Sequence, residues 1–302
     1  MADPVFAPGV NNRPVRATLL CLSALLLFAG MDTTTKYLTA HFEAPVIVAA
    51  RYIGNLSLML LFMLPRRAGV EMVRTTRTGL VWVRAGCLAC ASLLVALALG
   101  RMPVAETTAI MYLAPTLVAL AAGPFLGERI GLRGWSAVAV GLAGVLLIAR
   151  PGGGLALVGV ALALGAAVMN TIYQLLSRTL AASEQTFALL FYSAVMGTLV
   201  FGGALPWFWI GRAPSLTEAA LLASLGVLGG LGHYLFTAAF RYAPASMLAP
   251  MSYLQLLWAG LLGWLVFGHV PDAPTLLGMA IISAAGVIVA LRPRSRVAVG
   301  GA

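Results

Sequence analysis

Apolar residues in this chain run in long blocks, broken by short polar stretches, at residues 17–38, 44–64, 79–100, 103–126, 132–149, 155–180, 184–209, 217–241, 243–267 and 274–291. Each block is near the twenty or so residues that a helix rising 1.5 Å per residue needs to cross about 30 Å of hydrocarbon. The pattern predicts an all-α integral membrane protein with ten transmembrane helices. The longest connection is "LPRRAGVEMVRTTRTG", so almost no chain remains for a soluble domain. Composition agrees: of 302 residues 61% are hydrophobic and 9% charged, with mean hydropathy +0.97, against about 25% charged residues in a soluble domain.

Charge changes the picture by setting orientation. Ten spans place both termini on one side, and that side carries Arg13, Arg16, Arg66, Arg67, Arg74, Arg77, Arg129, Arg133, Arg178, Arg241, Arg292, Arg294 and Arg296, thirteen in all. The opposite loops hold three, Arg101, Arg150 and Arg212. The positive-inside rule makes the richer side cytoplasmic. The expectation is a multi-pass protein of the cell inner (cytoplasmic) membrane with both termini cytoplasmic. The net charge of +10 then reports topology, and no nucleic-acid partner is expected. The first fifteen residues lack a signal-peptide pattern, and the first span is too long to be one, so it is expected to be retained. Cys21, Cys87 and Cys90 fall within spans, where small apolar filler explains them and no disulfide framework is expected.

The chain also matches itself at an offset of 141 to 142 residues: "GVLLIARP" at 144–151 returns as "GVIVALRP" at 286–293. Under that offset Pro103 falls on Pro244, Tyr112 on Tyr253, Leu58 on Leu199 and Glu43 on Glu184. The expected organisation is a tail at 1–15, a first five-span repeat at 16–151, a second at 152–293 and a tail at 294–302. Five is odd, so the second copy starts on the other side of the membrane and the two repeats are inverted. Inverted repeats place a binding site near the midplane, where rocking of one helix set exposes it to each side in turn. A secondary transporter follows, with plain duplication in a receptor or scaffold as the alternative.

"LLFAGMDTTTKYL" (26–38), "PVAETTAIMYLAPTLVALAAGPFLGERIGLRGWSAVAVGLAGVLLIARPGG" (103–153) and "GGLGHYLFTAAFRYAPASMLAPMSYLQLLWAGLLGWLVFGHVPD" (229–272) resemble the EamA-type members of the drug/metabolite transporter superfamily, over about residues 16 to 293. The family's GER signature is matched by Gly127, Glu128 and Arg129, while the second copy carries His269 where the family usually shows Glu. The resemblance implies a ten-helix, two-repeat secondary transporter. It offers export of amino acids or related metabolites, including metal-chelating ones, and equally uptake of riboflavin or S-adenosylmethionine; export is the preferred expectation.

Candidate site residues follow from depth. Asp32 lies about six residues, roughly 9 Å, from the outer end of span 1, and Arg51 about seven from the outer end of span 2. A charge in lipid costs several kcal/mol unless paired or hydrated, so the two are expected to face inward and meet. Lys36, one turn from Asp32, competes for that role or snorkels outward. The pair reads either as a structural pin or as a gating or coupling site, with protonation or a charged substrate group replacing one partner. At mid-depth stand the repeat-equivalent Tyr112 and Tyr253, then Ser252, Gln255 and Trp258, with Glu106 and Thr108 further out along span 4. Aromatic faces with hydrogen-bonding tips suit a small amphipathic organic substrate, although packing explains aromatics as well. In the inner half, Asn170 and Gln174 on span 6, and His233 with Thr237 on span 8, present polar groups that bind ligand or join helices. His233 also titrates near neutrality when unperturbed. Arg84 is expected to snorkel to the cytoplasmic side. Pro115 and Pro250 interrupt spans 4 and 9, and small residues such as Ala137 with Gly141 and Ala280 with Ala284 allow close helix approach, inside the bundle or in a homodimer.

Other classes meet the same residues and fail. Lys36 is the only lysine and follows "TTT", so the chain has no phosphate loop. HExxH is absent and nine acids are scattered, so no enzyme, metal or cofactor is expected. A channel remains as an alternative. The expected partners are a small-molecule substrate, the lipid bilayer and a coupling proton.

Overall fold

The computed structural model describes residues 14–63, 69–114, 116–118, 121, 132–150, 154–180, 183–209, 211–239, 242 and 251–290. Among the described residues, ten helical segments follow the ten apolar blocks: α1 (Pro14–Leu38), α2 (Ala44–Met63), α3 (Thr78–Leu99), α4 (Val104–Met111), α5 (Leu132–Ile148), α6 (Leu157–Leu180), α7 (Thr186–Phe208), α8 (Leu216–Ala239), α9 (Gln255–Phe267) and α10 (Ala273–Ala290). A single turn, Gly69–Met72, lies between α2 and α3. Among the described residues, six of the ten are long and apolar enough by themselves to cross a membrane, and four are shorter apolar helices. Leu61, Leu146, Leu257 and Leu265 stand more than 60% exposed, which suits a lipid-facing surface.

The packing is symmetric under exchange of the repeats. α1 packs on α8, α2 on α8, and α1 on α9; replacing each helix by its counterpart gives α6 on α3, α7 on α3 and α6 on α4, and all three pairs also touch. The self-related pairs α2–α7, α4–α9 and α5–α10 touch as well. The protein is an all-α membrane bundle built from two inverted five-helix repeats.

Lipid tails are as apolar as leucine, so close van der Waals approach rather than the hydrophobic effect joins such helices. Glycines provide that approach. A Cβ on Gly226 of α8 would lie 2.7 Å from backbone atoms of Gly54 on α2, and one on Gly278 of α10 would lie 2.7 Å from the Gly144 carbonyl oxygen of α5. The ring of Tyr52 occupies the space above Gly197 of α7.

Among the described residues three helices are irregular, each near a proline of the sequence. Pro206 has no N–H for the carbonyl of Gly202, and the segment before it, Thr198–Gly202, is a π-turn. α4 breaks at Tyr112, whose ψ is 1°, three residues before the proline at 115. Beyond the proline at 250, Ser252–Leu254 forms a 3-10 turn that leads into α9. Pro115 and Pro250 themselves, the Gly127–Glu128–Arg129 signature and the side chains of Ala137 and Thr237 lie outside the described residues.

Polar contacts outside the spans fix the helix ends. Glu184, between α6 and α7, accepts hydrogen bonds from the Thr76 N–H and hydroxyl and from the Arg77 N–H at the start of α3. Asp272 accepts from the Thr275 N–H at 3.0 Å and pairs with Arg150. Hydrogen bonds from Thr275, then Arg150, hold the Asp272 carboxyl down to about 2 from its ordinary 3.8. A depressed folded-state value means that this contribution is complete above the unfolded value and is lost as pH falls through about 2. Acid titration of thermal stability in detergent is expected to flatten over that window in Asp272→Asn; an unchanged profile would remove the cap from the account.

Candidate substrate site between the repeats

The interruptions of α4 and α9 bring the two repeat-equivalent tyrosines together. Tyr112 sits at the end of α4 and Tyr253 in the 3-10 turn before α9, with ring centroids 5.1 Å apart and planes at 45°. The Tyr112 hydroxyl donates to Gln255 Oε1 at 2.9 Å, and Gln255 Nε2 donates to Asp32 Oδ2 at 3.3 Å. A polar chain, Tyr112–Gln255–Asp32, thus joins α4 and α9 to α1. The Tyr253 hydroxyl is buried beside it with no hydrogen-bond partner among the described residues, an arrangement that costs about 1–3 kcal/mol unless a ligand or water completes it.

Arg51 does not close an ion pair with Asp32, contrary to expectation. Its guanidinium donates to the Ser92 hydroxyl on α3 and lies 4.8 Å from the Tyr52 ring centroid, while the Tyr52 hydroxyl shares Ser92 at 2.8 Å. Arg51 still acts on Asp32 through space. The reason is competition: a serine one helix away offers a direct acceptor, and Gln255 offers Asp32 a direct donor. Both charges keep neutral hydrogen-bond partners.

Lys36 does not compete for Asp32 either. Its ammonium donates to the carbonyls of Leu99 at 3.0 Å and Met102 at 2.8 Å, closing the C-terminal end of α3, where a cation meets the negative end of the helix dipole. Arg84 is not snorkelling: it is 4% exposed and donates to the hydroxyls of Ser177, Ser193 and Tyr173 and to the Leu189 carbonyl, tying α3 to α6 and α7. Four neutral acceptors at the right positions replace the water that snorkelling would seek. His233 of α8 packs on Phe28 of α1, ring centroids 4.9 Å apart, and Trp258 packs against the same apolar cluster near α1. Asn170 and Gln174 on α6 are half-buried, and among the described residues no hydrogen bond joins them to the Tyr112–Asp32 chain.

Depth grouped Tyr112, Tyr253 and Gln255, and Tyr112 meets the other two; it set Asp32 apart with Arg51 nearer the outer end, whereas in the structure Gln255 joins Asp32 to Tyr112. Depth missed a second polar contact, Glu106 with His269 at 2.8 Å. The available signal was an acid two residues into α4, after Pro103 and Val104.

The geometry predicts how the charges couple. In a double-mutant cycle on thermal stability, Asp32→Asn with Gln255→Leu is expected to show an interaction of about 1 kcal/mol, since hydrogen bonds to charged groups contribute about 1.5–3 kcal/mol and Asn keeps part of the bond. Asp32→Asn with Arg51→Gln is expected to come closer to additivity. The reverse order would mean that the direct Asp32–Arg51 pair forms after all.

Comparison with known proteins agrees with this architecture. The model of the EamA-like transporter family matches the chain twice, over residues 15–150 and 157–292. The pseudopaline exporter CntI of Pseudomonas aeruginosa is 30% identical over 271 residues, covering 87% of this chain and 92% of that protein. A riboflavin transporter of Rhizobium johnstonii is 28% identical with 92% of each chain covered, and an S-adenosylmethionine uptake transporter of Rickettsia bellii is 26% identical, covering 86% and 88%. One protein crystal structure shares the fold with a TM-score of 0.65 at 22% identity, covering 91% of this chain and 96% of that one. Two matched repeats and a 30% identical relative make the chain a multi-pass membrane protein of the EamA-like transporter family, a transporter of small molecules rather than an enzyme.

Proposed function

We propose that the chain is a secondary transporter that moves a small organic metabolite across the cytoplasmic membrane by alternating access, and that it exports an amino-acid-like or metal-chelating compound. One observation carries this reading: Asp32 and Arg51 do not pair with each other, and each is held by a neutral partner, Gln255 and Ser92. A zwitterion supplies what that arrangement lacks, an ammonium for Asp32 and a carboxylate for Arg51, and the carboxylate–guanidinium contact is the strong bidentate kind. Tyr112, Tyr253 and Trp258 provide apolar faces for the body of the substrate. The relative that exports pseudopaline supports the direction.

A second reading, uptake of a vitamin or nucleoside-type metabolite, is favoured by the riboflavin and S-adenosylmethionine relatives and by the tyrosine pair, which suits a planar ring system. The deciding experiment uses protein reconstituted in liposomes and a panel of radiolabelled amino acids, riboflavin and S-adenosylmethionine. Saturable counterflow of an amino-acid-like compound without ATP supports the first reading. Counterflow of riboflavin or S-adenosylmethionine selects the second, and flux that neither saturates nor exchanges identifies a channel.

Orientation belongs to the same proposal: both termini and the loop around Arg74 face the cytoplasm, by the thirteen-to-three arginine asymmetry. Periplasm-dependent reporters fused after Arg77 or Arg296 are expected to be silent. Activity at either position reverses the orientation.

A further inference from the structure

The strongest feature outside the substrate site lies between α4 and α9, at the end of the bundle that the orientation above puts outside. Glu106, in the first turn of α4, is 2% exposed. One carboxylate oxygen, Oε1, meets His269 Nε2 at 2.8 Å; the other, Oε2, is buried without a hydrogen-bond partner among the described residues. Leu99, Val104 and Ala259, one each from α3, α4 and α9, form an apolar cluster, with Val95 and Phe267 packed against them. A buried polar atom left unpaired in such surroundings calls for an explanation.

His269 gets there because α9 ends at Gly268, whose φ of 66° belongs to the left-handed region that glycine occupies without strain. The turn carries the imidazole back over the start of α4. Its side chain is 39% exposed, while that of Glu106 is 3% exposed, so the histidine bridges solvent and a buried acid. The remaining charged groups on the elements around α4 are accounted for among the described residues. Lys36 of α1 acts on Glu106 through space while donating to the Leu99 and Met102 carbonyls. Arg101, between α3 and α4, donates to the Leu97 carbonyl. Arg150, after α5, pairs with Asp272, before α10. The outer half of α6, residues 157–168, carries no titratable side chain.

We propose that Glu106 and His269, with Lys36 as the neighbouring cation, form a proton-binding site at the outer mouth that takes up the coupling proton. The relay balances. Water outside delivers a proton to Nδ1 of a neutral His269 that holds its own proton on Nε2; the Nε2 proton passes along the 2.8 Å contact to Oε1 of the carboxylate. The histidine is again neutral, as the other tautomer, and the site has gained one proton on Glu106. The acid then carries no charge into the apolar pocket, and its unpaired Oε2 is a weaker demand on its surroundings than a carboxylate oxygen. Tyr112, six residues along α4, links this site to the Tyr112–Gln255–Asp32 chain, so a change at the mouth reaches the substrate site through one short helix. The proton site exists independently of the transport reading above; its coupling role rests on that reading.

Infrared spectra of the purified full-length protein in lipid, titrated with acid, test the site without any substrate. Wild type is expected to show a protonated-carboxyl band that is lost in Glu106→Gln and retained in Glu184→Gln, with its midpoint shifted in His269→Asn. A band unaffected by Glu106→Gln overturns the proposal. Should Glu106→Gln fail to fold, His269→Asn in its half-exposed loop decides, an unshifted midpoint overturning the relay. In liposomes, pH-gradient-driven accumulation of whichever panel compound the wild type moves is expected to be lost in Glu106→Gln; its persistence overturns the coupling role. A wild type that moves no panel compound counts against the substrate reading, while the infrared result still decides the proton site.

Discussion

Asp32→Asn is expected to cut substrate affinity by roughly 30-fold or more while leaving the bundle folded. Asn has nearly the volume of Asp and keeps an oxygen for Gln255 Nε2, whose present bond is 3.3 Å, so the polar chain from Tyr112 can persist. What disappears is the charge. Truncating one partner of a buried, hydrogen-bonded charge pair costs about 2–5 kcal/mol, and each 1.4 kcal/mol is tenfold. The measurement is concentration-dependent counterflow in liposomes, with gel filtration of the variant to show that it is folded. Activity within about twofold of wild type would take Asp32 out of the site, and a misfolded variant would make it a structural pin between α1 and α9.

The second large effect is steric and concerns the crossing of α2 and α8. At Gly226 an added Cβ would lie 2.7 Å from Cα and C of Gly54 and 2.9 Å from the Asn55 nitrogen, all main-chain atoms. No rotamer change relieves such a contact, so one helix has to move. Gly226→Ala is expected to destabilise by about 1–3 kcal/mol, the usual cost of overpacking, and Gly226→Leu by more. Gly260 of α9 is the control: nothing lies within 4 Å of its Cβ position, and Gly260→Ala is expected to stabilise by about 0.5–1 kcal/mol through lower chain entropy. Thermal unfolding in detergent checks both. Equal tolerance of alanine at the two glycines would mean that α2 and α8 are held further apart than the structure has them.

Much of the fold was legible because the bilayer imposes a length and a composition on every crossing segment. The apolar block at 79–100 became α3 (Thr78–Leu99), and that at 44–64 became α2 (Ala44–Met63). The internal match at 141–142 residues fixed which helices are counterparts, and the packing pairs obey that exchange. Helix interruptions were less legible. Proline marked the regions, but the turn at Tyr112 and the 3-10 turn at Ser252–Leu254 depend on which backbone groups find other partners.

For the site, depth along a helix is a one-dimensional coordinate, which groups residues by level without choosing their partners. Tyr112, Tyr253 and Gln255, grouped by depth, come together, and Gln255 also reaches Asp32, which depth had set nearer the outer end. Depth also put Asp32 beside Arg51 and Lys36, and there it misled. Which cation turns toward an acid depends on helix rotation and on nearby acceptors, here Ser92 for Arg51 and the Leu99 and Met102 carbonyls for Lys36. The same holds for Arg84, whose acceptors come from two other helices about a hundred positions along the chain. The sequence by itself determined the number of spans, the repeat and how far along its span each polar residue lies, because those follow from hydrophobic length and internal similarity. Only the tertiary structure decided who pairs with whom, since hydrogen bonding is short-ranged and directional and its partners are set by how the helices are turned.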